Sequence, residues 1–370
     1  MLLILKSYII SFYYIKDNNI QIDIVEHDVW RVDKIMIKWG ILGLGKMAQK
    51  FAEAIQEVEN AKLVSISSLS KKKVESFSRK FDIDEKYKFN TYEDLINCKE
   101  VDAVYIATLN NTHSDLVIKS AEAGKGILCE KPMSITEEES ILVFNKLENS
   151  NVFFLEAIAY RSHPQTTELT NLISSDIIGK IEKIESNFGF SVKNFLKFIP
   201  RHRLFNKKLG GGSILDIGCY PVSFGLLIAK ICKKENSPLK YQLTESKGKI
   251  NFRGTDDEAY TKIKFENLFD LEASISIKNR FQNSSTIFGS KGIIKIPNPW
   301  LPNKRSFIEV SSQQKRYKKE IISKYSIYAN TIKIASDSIE KKKIECATPN
   351  MSWQDSKENI KILTEWKSYI

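Results

Sequence analysis

The sequence predicts an α/β protein with two parts. An N-terminal doubly wound parallel sheet is followed by an α+β domain with a large, mostly antiparallel open sheet. A glycine-rich turn joins a buried strand to a helix near residue 43. Strands and helices then alternate to about residue 157, as in a parallel sheet covered by helices on both faces. Beyond that point, strand-like segments alternate polar and apolar residues and are joined by short turns, which is typical of an antiparallel sheet packed on one face.

A chain of 370 residues is long for one domain, so we expect several parts. We predict an extension over residues 1–35, a doubly wound α/β domain over 36–157, an α+β domain over 158–340, and a C-terminal helix over 341–370. Residues 1–15 are apolar but too few to span a bilayer, and no cleavage site follows them. A complete strand–turn–helix unit begins at Met36. We therefore expect the extension to be dispensable, with a peripheral membrane anchor as the alternative.

The composition excludes several classes of function. The net charge is +11, but the 56 basic residues are interleaved with 45 acidic ones. No basic–aromatic stripe or nucleic-acid-binding motif is present, so we expect a small-molecule partner and neither nucleic acid nor a membrane partner. The five cysteines lack C-x-x-C pairing and the four histidines lack a ligand pattern. We therefore expect no metal site, and reduced thiols in a cytoplasmic protein.

The turn after the first strand has the pattern G-x-G-x-x-A. The first glycine permits the tight turn, the second lets the main chain approach a pyrophosphate, and the small third residue lets the helix pack on the strand. The N–H groups at the start of the helix attract phosphate. An ordinary glycine-rich turn is the alternative, but the flanking strand and helix favour a dinucleotide. The residues predicted to hold it are Gly43, Leu44, Gly45, Lys46, Met47 and Ala48.

The remaining elements follow from periodicity. In the first half, the pattern predicts strands at 37–42, 61–67, 101–107, 126–129 and 152–155, and helices at 46–57, 72–81, 92–98, 113–123 and about 137–147. A capping box of Thr136 and Glu139 begins the last of these helices. In the second half, it predicts strands at 181–190, 241–250, 259–265, 271–277, 285–288, 293–296 and 307–310, and helices at 165–174, 325–340 and 353–367.

The end of the second strand bears on the choice of cofactor. An NAD site usually has an acidic residue there to hold the ribose 2′-hydroxyl. This chain has no acid before Glu75, and Ser68, Ser70 and Lys71 stand in that region instead. Hydroxyls and a lysine suit a 2′-phosphate, so we expect NADP, with NAD as the alternative. The competing interpretation is that the lysines only begin a solvated helix.

Polar residues also follow the next two strands of the sheet. Thr108, Asn110 and His113 come after one strand, and Glu130 and Lys131 come after the other. Ligands of open α/β sheets bind at the carboxyl ends of strands, so we expect all five to contact the cofactor. Lys131 is placed where the reactive ring of the cofactor would lie. The bond between Lys131 and the following proline is a candidate for the cis form, which would set the angle of the lysine.

A third group of residues follows three glycines at 210–212. Ser213 has the type and position of a helix N-cap. Asp216 and Tyr220 are four residues apart and so share a helix face. A lysine cation beside a tyrosine lowers the phenol pKa and fits the tyrosine for proton transfer. The alternative is a buried, hydrogen-bonded tyrosine, and Pro221 is awkward for a helix at this point.

These motifs together resemble the Gfo/Idh/MocA oxidoreductases, a family named for glucose–fructose oxidoreductase and inositol dehydrogenase. The similarity lies in segments 43–48, 106–113, 130–132, 156–164 and 210–220, with weaker similarity at 288–292 and 352–363. Within the family, the chain is most similar to the dihydrodiol dehydrogenase and xylose dehydrogenase branch, which carries a tyrosine at the position of Tyr220. Relatives often have Thr-Pro-Asn where this chain has Leu109 in the middle.

The resemblance implies a nicotinamide enzyme with Lys131 and Tyr220 at the reacting carbon. It implies that Asp216 orients the substrate and that Arg161 and Arg203 lie near the substrate pocket. It further implies that the open sheet packs against another subunit, as a homodimer or homotetramer. We therefore expect hydride transfer between NADP(H) and a hydroxyl or carbonyl carbon of a sugar, polyol or diol. A cofactor-binding sensor, or an enzyme that recycles a tightly held NAD within one turnover, are the alternatives.

Overall fold

The computed structural model describes residues 11–16, 19–24, 35–199, 202–233, 238–313 and 315–370. Residues 1–35 and residues 36–370 form two separate units. In the first unit, strands β1 (Ser11–Lys16) and β2 (Asn19–Ile24) pair antiparallel. This hairpin was not predicted. The predicted apolar stretch 1–15 lies mostly outside the described residues, and the dispensability of residues 1–35 stays a prediction.

The second unit begins with the predicted parallel sheet, which is confirmed. Its six strands are β3 (Ile37–Leu42), β4 (Ala61–Ser67), β5 (Lys88–Phe89), β6 (Ala103–Ile106), β7 (Gly126–Cys129) and β8 (Phe154–Glu156). All neighbours are parallel, in the order β5-β4-β3-β6-β7-β8. The chain therefore winds outward from β3 in both directions. This order opens a crevice at the carboxyl ends of β3 and β6, which is the ligand position of such sheets.

Helices cover both faces of this sheet. They are α1 (Lys46–Ala54), α2 (Lys71–Phe81), α3 (Tyr92–Ile96), α4 (His113–Glu122) and α5 (Glu137–Glu148). Thr136 caps α5 by accepting the Glu139 N–H at 3.2 Å. The Glu139 carboxylate accepts from the Ile135 N–H rather than from Thr136. The predicted capping box is therefore only half formed.

The second half contains the predicted large open sheet, which is also confirmed. Its eight strands are β9 (Ile181–Gly189), β10 (Tyr241–Ile250), β11 (Asp256–Phe265), β12 (Phe269–Ser276), β13 (Ser284–Gly289), β14 (Gly292–Ile296), β15 (Arg305–Ser312) and β16 (Arg316–Ile322). The order is β10-β11-β12-β9-β13-β14-β15-β16. Only the β9–β12 pair of this sheet is parallel. The edge strand β16 was not predicted.

Four helices complete the fold: α6 (Pro164–Ser174), α7 (Cys219–Cys232), α8 (Ile327–Glu340) and α9 (Trp353–Ser368). Helix α8 returns to the parallel sheet, where the Trp39 indole donates to the Ser336 hydroxyl at 3.1 Å. In the described chain, the helical run 207–232 is long and apolar enough to cross a membrane, but 83% of its apolar window is buried inside the protein. It is the central core helix of the second half.

The start of α7 differs from the prediction and explains Pro221. A single π turn, Ile214–Gly218, precedes α7 and leads directly into it. Pro221 stands in the first turn of α7, where a missing N–H is tolerated. Ser213 stands at the N-cap position of this turn but does not cap it with its side chain, because its hydroxyl donates to Asp256 on β11 at 2.7 Å. The Asp256 carboxylate itself accepts the Ile214 N–H at 2.7 Å and ties this turn to the large sheet.

Candidate active site

The glycine turn after β3 has room for a phosphate group. Gly43 has a φ of +88°, and a Cβ there would lie 2.8 Å from the Ala107 carbonyl oxygen. At Gly45 a Cβ would meet nothing within 4 Å, so the start of α1 is open. No described residue accepts a hydrogen bond from the N–H groups of Lys46, Met47 or Ala48. Free N–H groups at an open helix start fit the pyrophosphate of a dinucleotide.

The side chains of this turn divide by exposure. Leu44 and Ala48 are buried and pack the turn against the sheet, whereas Lys46 is exposed. Leu44 and Ala48 can therefore contact a cofactor only through their main-chain atoms. Lys46 is free to reach a phosphate oxygen.

The end of β4 is a second open helix start. The buried Ser68 hydroxyl accepts the Ser70 N–H at 3.3 Å, and Ser70 precedes α2 without capping it. Lys71 is exposed in the first turn, which contains no acidic residue. Leu69, 72% exposed, lies beside them. Hydroxyls, free N–H groups and a cation converge here, which is the donor set that a phosphate requires.

The loop after β6 connects the two halves of the unit. The Thr108 hydroxyl accepts a hydrogen bond from Thr112 at 2.7 Å. The Asn110 amide nitrogen donates to the Gly210 carbonyl at 3.1 Å. Asn110 thus ties the loop after β6 to the glycine segment at 210–212.

His113 corrects one prediction. Its ring is 1% exposed, and its Nδ1 donates to the Pro132 carbonyl oxygen at 2.8 Å. Burial lowers the His113 pKa to about 4, so the ring is neutral at physiological pH. A side chain so enclosed cannot contact a cofactor. His113 instead holds the turn that follows β7.

That turn carries Glu130 and Lys131, and the Lys131–Pro132 peptide bond is cis, as proposed from the sequence. The Glu130 carboxylate accepts a hydrogen bond from the Tyr105 hydroxyl at 2.5 Å. Burial raises the pKa of Glu130, against the opposing effects of Tyr105 and Lys131. Glu130 is 8% exposed, so it lies at the floor of the crevice.

Lys131 belongs to a cluster of three charges. Its Nζ donates to the Asp216 main-chain carbonyl and lies 3.3 Å from the Asp216 Oδ1. The same Oδ1 accepts from the Arg203 guanidinium at 2.9 Å. Burial alone would lower the Lys131 pKa, but the Asp216 carboxylate, together with Tyr220 and Cys219, outweighs burial and raises it. In turn, the two cations outweigh burial at Asp216 and lower its pKa. Lys131 is therefore a fixed ammonium group, and Asp216 a fixed carboxylate.

Tyr220 lies next to this cluster in a different way from that predicted. The Lys131 Nζ lies 5.3 Å from the centroid of the Tyr220 ring, above its face, rather than on the hydroxyl. The Phe188 ring packs edge-on against it at 5.0 Å. The Tyr220 hydroxyl makes no hydrogen bond to the described residues. It is a free polar group in the crevice.

The predicted lowering of the Tyr220 pKa is wrong. Burial raises the phenol pKa by more than the Lys131 cation lowers it. The phenol is therefore protonated at neutral pH, and the group can donate a proton but is a poor base.

Arg161, predicted to bind substrate near the pocket, has no exposed side-chain atom to offer a substrate. The Arg161 side chain is fully buried. Its donors bind the carbonyl oxygens of Pro349, Asn350 and Ser223, and it forms an ion pair with Asp355 at 3.1 Å. Every part of the guanidinium is used to join α7 to the start of α9. By contrast, the Arg203 side chain is 49% exposed and keeps donors toward solvent.

Two buried groups of this region were not predicted as site residues, Tyr105 and Glu156. Glu156 ends β8, and its Oε1 accepts the Met133 N–H at 3.1 Å. The available signal was a charged residue at the end of the apolar run 152–155. Across the described residues, no group of three His, Cys, Asp or Glu side chains is placed to hold a metal ion.

Comparison with known proteins is consistent with this geometry. A family model for oxidoreductases with an NAD-binding Rossmann fold matches residues 37–158. The Gfo/Idh/MocA C-terminal domain matches residues 166–295.

Two curated relatives carry the same name. The trans-1,2-dihydrobenzene-1,2-diol dehydrogenase of Xenopus tropicalis is 29% identical over 268 residues, which cover 72% of this chain and 77% of the relative. The enzyme of that name from Mus musculus is 27% identical over 296 residues, covering 80% of this chain and 84% of the relative.

Two solved structures share the fold. One is a tyrosine-to-phenylalanine variant of a 3-ketoreductase from Actinomadura kijaniata with NADP and TDP-benzene. It has a TM-score of 0.78 and 16% identity, and covers 90% of this chain and 97% of its own. The other is an aldose-aldose oxidoreductase from Caulobacter crescentus with glycerol, with a TM-score of 0.78, 20% identity and the same coverage.

Proposed function

The chain belongs to the Gfo/Idh/MocA family of NAD(P)-binding oxidoreductases, and on that premise we propose that it transfers a hydride between NADP(H) and a hydroxyl or carbonyl carbon of a small diol, sugar or polyol. The observation that carries the proposal is the meeting of two sets of residues at one crevice. The glycine turn comes from the parallel sheet, and Lys131, Asp216, Arg203 and Tyr220 come together beside it. The diol in the names of the curated relatives supports the substrate class.

The residues that would hold the cofactor fit it in shape and in donors. The turn at 43–48 would take the pyrophosphate, with Thr108, Asn110 and Glu130 toward the nicotinamide half. Ser68, Ser70 and Lys71 would take a 2′-phosphate, which favours NADP over NAD. The 3-ketoreductase of the same fold was solved with NADP. When bound, the nicotinamide supplies or accepts the hydride.

The proton then has to come from this chain. In carbonyl reduction, the protonated Tyr220 phenol would donate its proton to the oxygen of the substrate as the carbon gains the hydride, and solvent would return a proton to Tyr220. The Lys131 ammonium would stabilise the negative charge that develops on that oxygen. Asp216 would hold Lys131 and Arg203 in place, and Arg203 would contact the substrate through its free donors.

We also infer a homodimer or homotetramer formed through the open face of the large sheet, in a cytoplasmic protein. The support for assembly is the family resemblance. That face carries charged side chains, among them the pairs Lys183–Glu272 at 3.1 Å and Lys262–Asp270 at 2.8 Å. Any subunit contact there would be polar, and light scattering at two salt concentrations would measure it. The cysteines of the described chain are all free, which fits a reducing compartment.

The test is an absorbance screen at the NADPH band. The purified protein would be offered NADPH or NADH with carbonyl compounds derived from diols, sugars and polyols, and the oxidised cofactors with the corresponding alcohols. We expect turnover with NADPH that the Tyr220→Phe variant loses. Binding of NADPH without turnover by any substrate would favour the sensor instead. Cofactor that survives gel filtration, with no net change in absorbance during turnover, would favour internal recycling.

A further inference from the structure

Glu156 is a buried carboxyl group directly beneath the turn that carries Lys131. It is 3% exposed, and its Oε1 accepts the N–H of Met133, which is itself 1% exposed. Its Oε2 is buried and accepts no hydrogen bond of good geometry, although the buried Ser356 hydroxyl of α9 lies beside the carboxyl. A buried, half-satisfied carboxyl is costly. It lies next to the turn Lys131-Pro132-Met133, so its hydrogen bond acts on the main chain that carries Lys131.

The charged and titratable groups that surround Glu156 come from three elements. Glu130 and Cys129 belong to the end of β7, Lys131 to the turn and Cys219 to the start of α7. Burial keeps both cysteines as thiols, raising the Cys219 pKa to about 12. Lys131 remains an ammonium group.

Glu156 itself differs from these neighbours. Burial raises its pKa from the ordinary value of 4.5 to about 7, against the lowering effects of Ser356, the Met133 N–H and Lys131, and Glu130 adds to the rise. The charge of Glu156 therefore changes near neutral pH. Glu130 has a raised pKa as well, from burial, so a test has to separate the two.

We propose that Glu156 is a positioning residue for the reaction, which holds Lys131 in place through the main chain of Pro132 and Met133 and gives turnover a pH dependence of its own. This inference rests on the proposed function. It concerns a residue that touches neither the substrate nor the reacting atoms, and it acts through the turn.

The physical reason is the strength of one hydrogen bond. An ionised carboxylate accepts the Met133 N–H in a charge-assisted bond, which is about twice as strong as a neutral one. A protonated carboxyl accepts it more weakly. The turn, and with it the Lys131 ammonium, is therefore held more firmly above the pKa of Glu156 than below it.

The experiment compares Glu156→Gln with the wild type across the neutral pH range. Gln is the neutral isostere and mimics the protonated form. We expect wild-type kcat to rise as pH increases through about 7, the pKa of Glu156. We expect Glu156→Gln to stay near the low value at every pH, about tenfold below the wild type on the alkaline side, which corresponds to the loss of one charge-assisted bond.

The matched control is Glu139→Gln. Glu139 likewise accepts a main-chain N–H, that of Ile135 at 3.0 Å, two residues beyond Met133. It should leave the pH profile of kcat unchanged. The variant Glu130→Gln distinguishes Glu156 from Glu130, the second carboxyl with a raised pKa. The increase in kcat near neutral pH should persist in this variant even if its kcat is lower at every pH.

A second readout needs neither substrate nor cofactor. Because the pKa of Glu156 is higher in the folded than in the unfolded chain, its contribution to stability is fully present below the unfolded value and is lost as pH rises through the folded value. The Tm of the wild type should therefore fall relative to that of Glu156→Gln between mildly acidic and mildly alkaline pH. The Tm can be measured even if no substrate is turned over. Failure of the proposed function can therefore be distinguished from failure of the inference about Glu156.

Two results would overturn the inference. One is a Tm difference that does not change with pH, since Glu156 would then not titrate in this range. The other is a pH-dependent Tm difference with an unchanged kcat profile, since Glu156 would then titrate without positioning Lys131. If Glu156→Gln does not fold, Glu156→Asp serves instead. Its carboxylate is one methylene short of Met133, so kcat should fall while a rise with pH remains.

Discussion

Replacing Asp216 by Asn tests the charge cluster of the candidate site. The substitution keeps the shape of the side chain and removes its charge, while Lys131 and Arg203 remain. The Lys131 side chain is 13% exposed and the Arg203 side chain 49%. Removal of the carboxylate therefore leaves Lys131 as the unpaired buried charge, because solvent screens the charge of Arg203.

The expected magnitude follows from that burial. Removing one partner of a buried ion pair costs about 3–5 kcal/mol. The lower end applies here, because Lys131 keeps the Asp216 main-chain carbonyl as an acceptor. About 3 kcal/mol corresponds to a fall in Tm of about 5 °C for a chain of this size. Burial, opposed less strongly, should also lower the Lys131 pKa, so that Asp216→Asn loses turnover at a lower alkaline pH than the wild type, while its stability deficit shrinks as pH rises through the lowered pKa.

The assay is thermal unfolding of purified variants at several pH values. The control is Glu100→Gln, which removes the carboxylate of the exposed Lys38–Glu100 pair and should leave Tm unchanged. The double variant Asp216→Asn/Lys131→Met should be more stable than Asp216→Asn alone, because the unpaired ammonium is gone. If Asp216→Asn unfolds at the wild-type temperature, or if Lys131→Met fails to restore stability, the cluster is not held together as described.

Three further predictions concern the rest of the chain. Arg161→Met should lower the free energy of unfolding by about 3–5 kcal/mol, because it breaks a buried ion pair, while the KM of a substrate stays unchanged. A raised KM with a wild-type Tm would instead show that Arg161 contacts the substrate. A chain lacking residues 1–35 should keep its Tm and its NADPH affinity, and a fall of several degrees would make the extension part of the fold. Lys71→Glu should weaken NADPH binding about tenfold or more, by the loss of a charge-assisted bond, and barely change NADH binding in a fluorescence titration; equal losses would contradict a 2′-phosphate site.

The elements that sequence predicts well are those bounded by strong signals. Strands β3, β4 and β7 match their predicted limits end to end, because each is an apolar run closed by glycine, serine or a charged turn. The edge strand β16 was missed because Arg316, Lys318 and Lys319 hide its pattern. It is held by main-chain pairing to β15, and an edge strand tolerates charge on both faces.

Which residues belong to the candidate site was harder to predict than where the site lies. Arg161 and Arg203 are the same residue type in the second half of the chain, yet one is sealed among carbonyl oxygens and the other reaches solvent. Similarly, the nearness of Lys131 to Tyr220 was predicted, but the burial that reverses the pKa shift was not. Burial depends on contacts from distant elements, so it is absent from any local pattern.

The most direct test of the account is single-turnover hydride transfer from NADPH at neutral pH in the wild type, Tyr220→Phe, Lys131→Met and the double variant. Loss of a positioned acid typically costs about a hundred- to ten-thousand-fold in rate. We predict a loss of that order for each single variant, NADPH affinity near that of the wild type, and a double variant scarcely slower than either, because groups that act as a unit are not additive. A Tyr220→Phe variant that kept more than about a tenth of the wild-type rate, far above the loss expected for an acid, would contradict the role of Tyr220 as the proton donor.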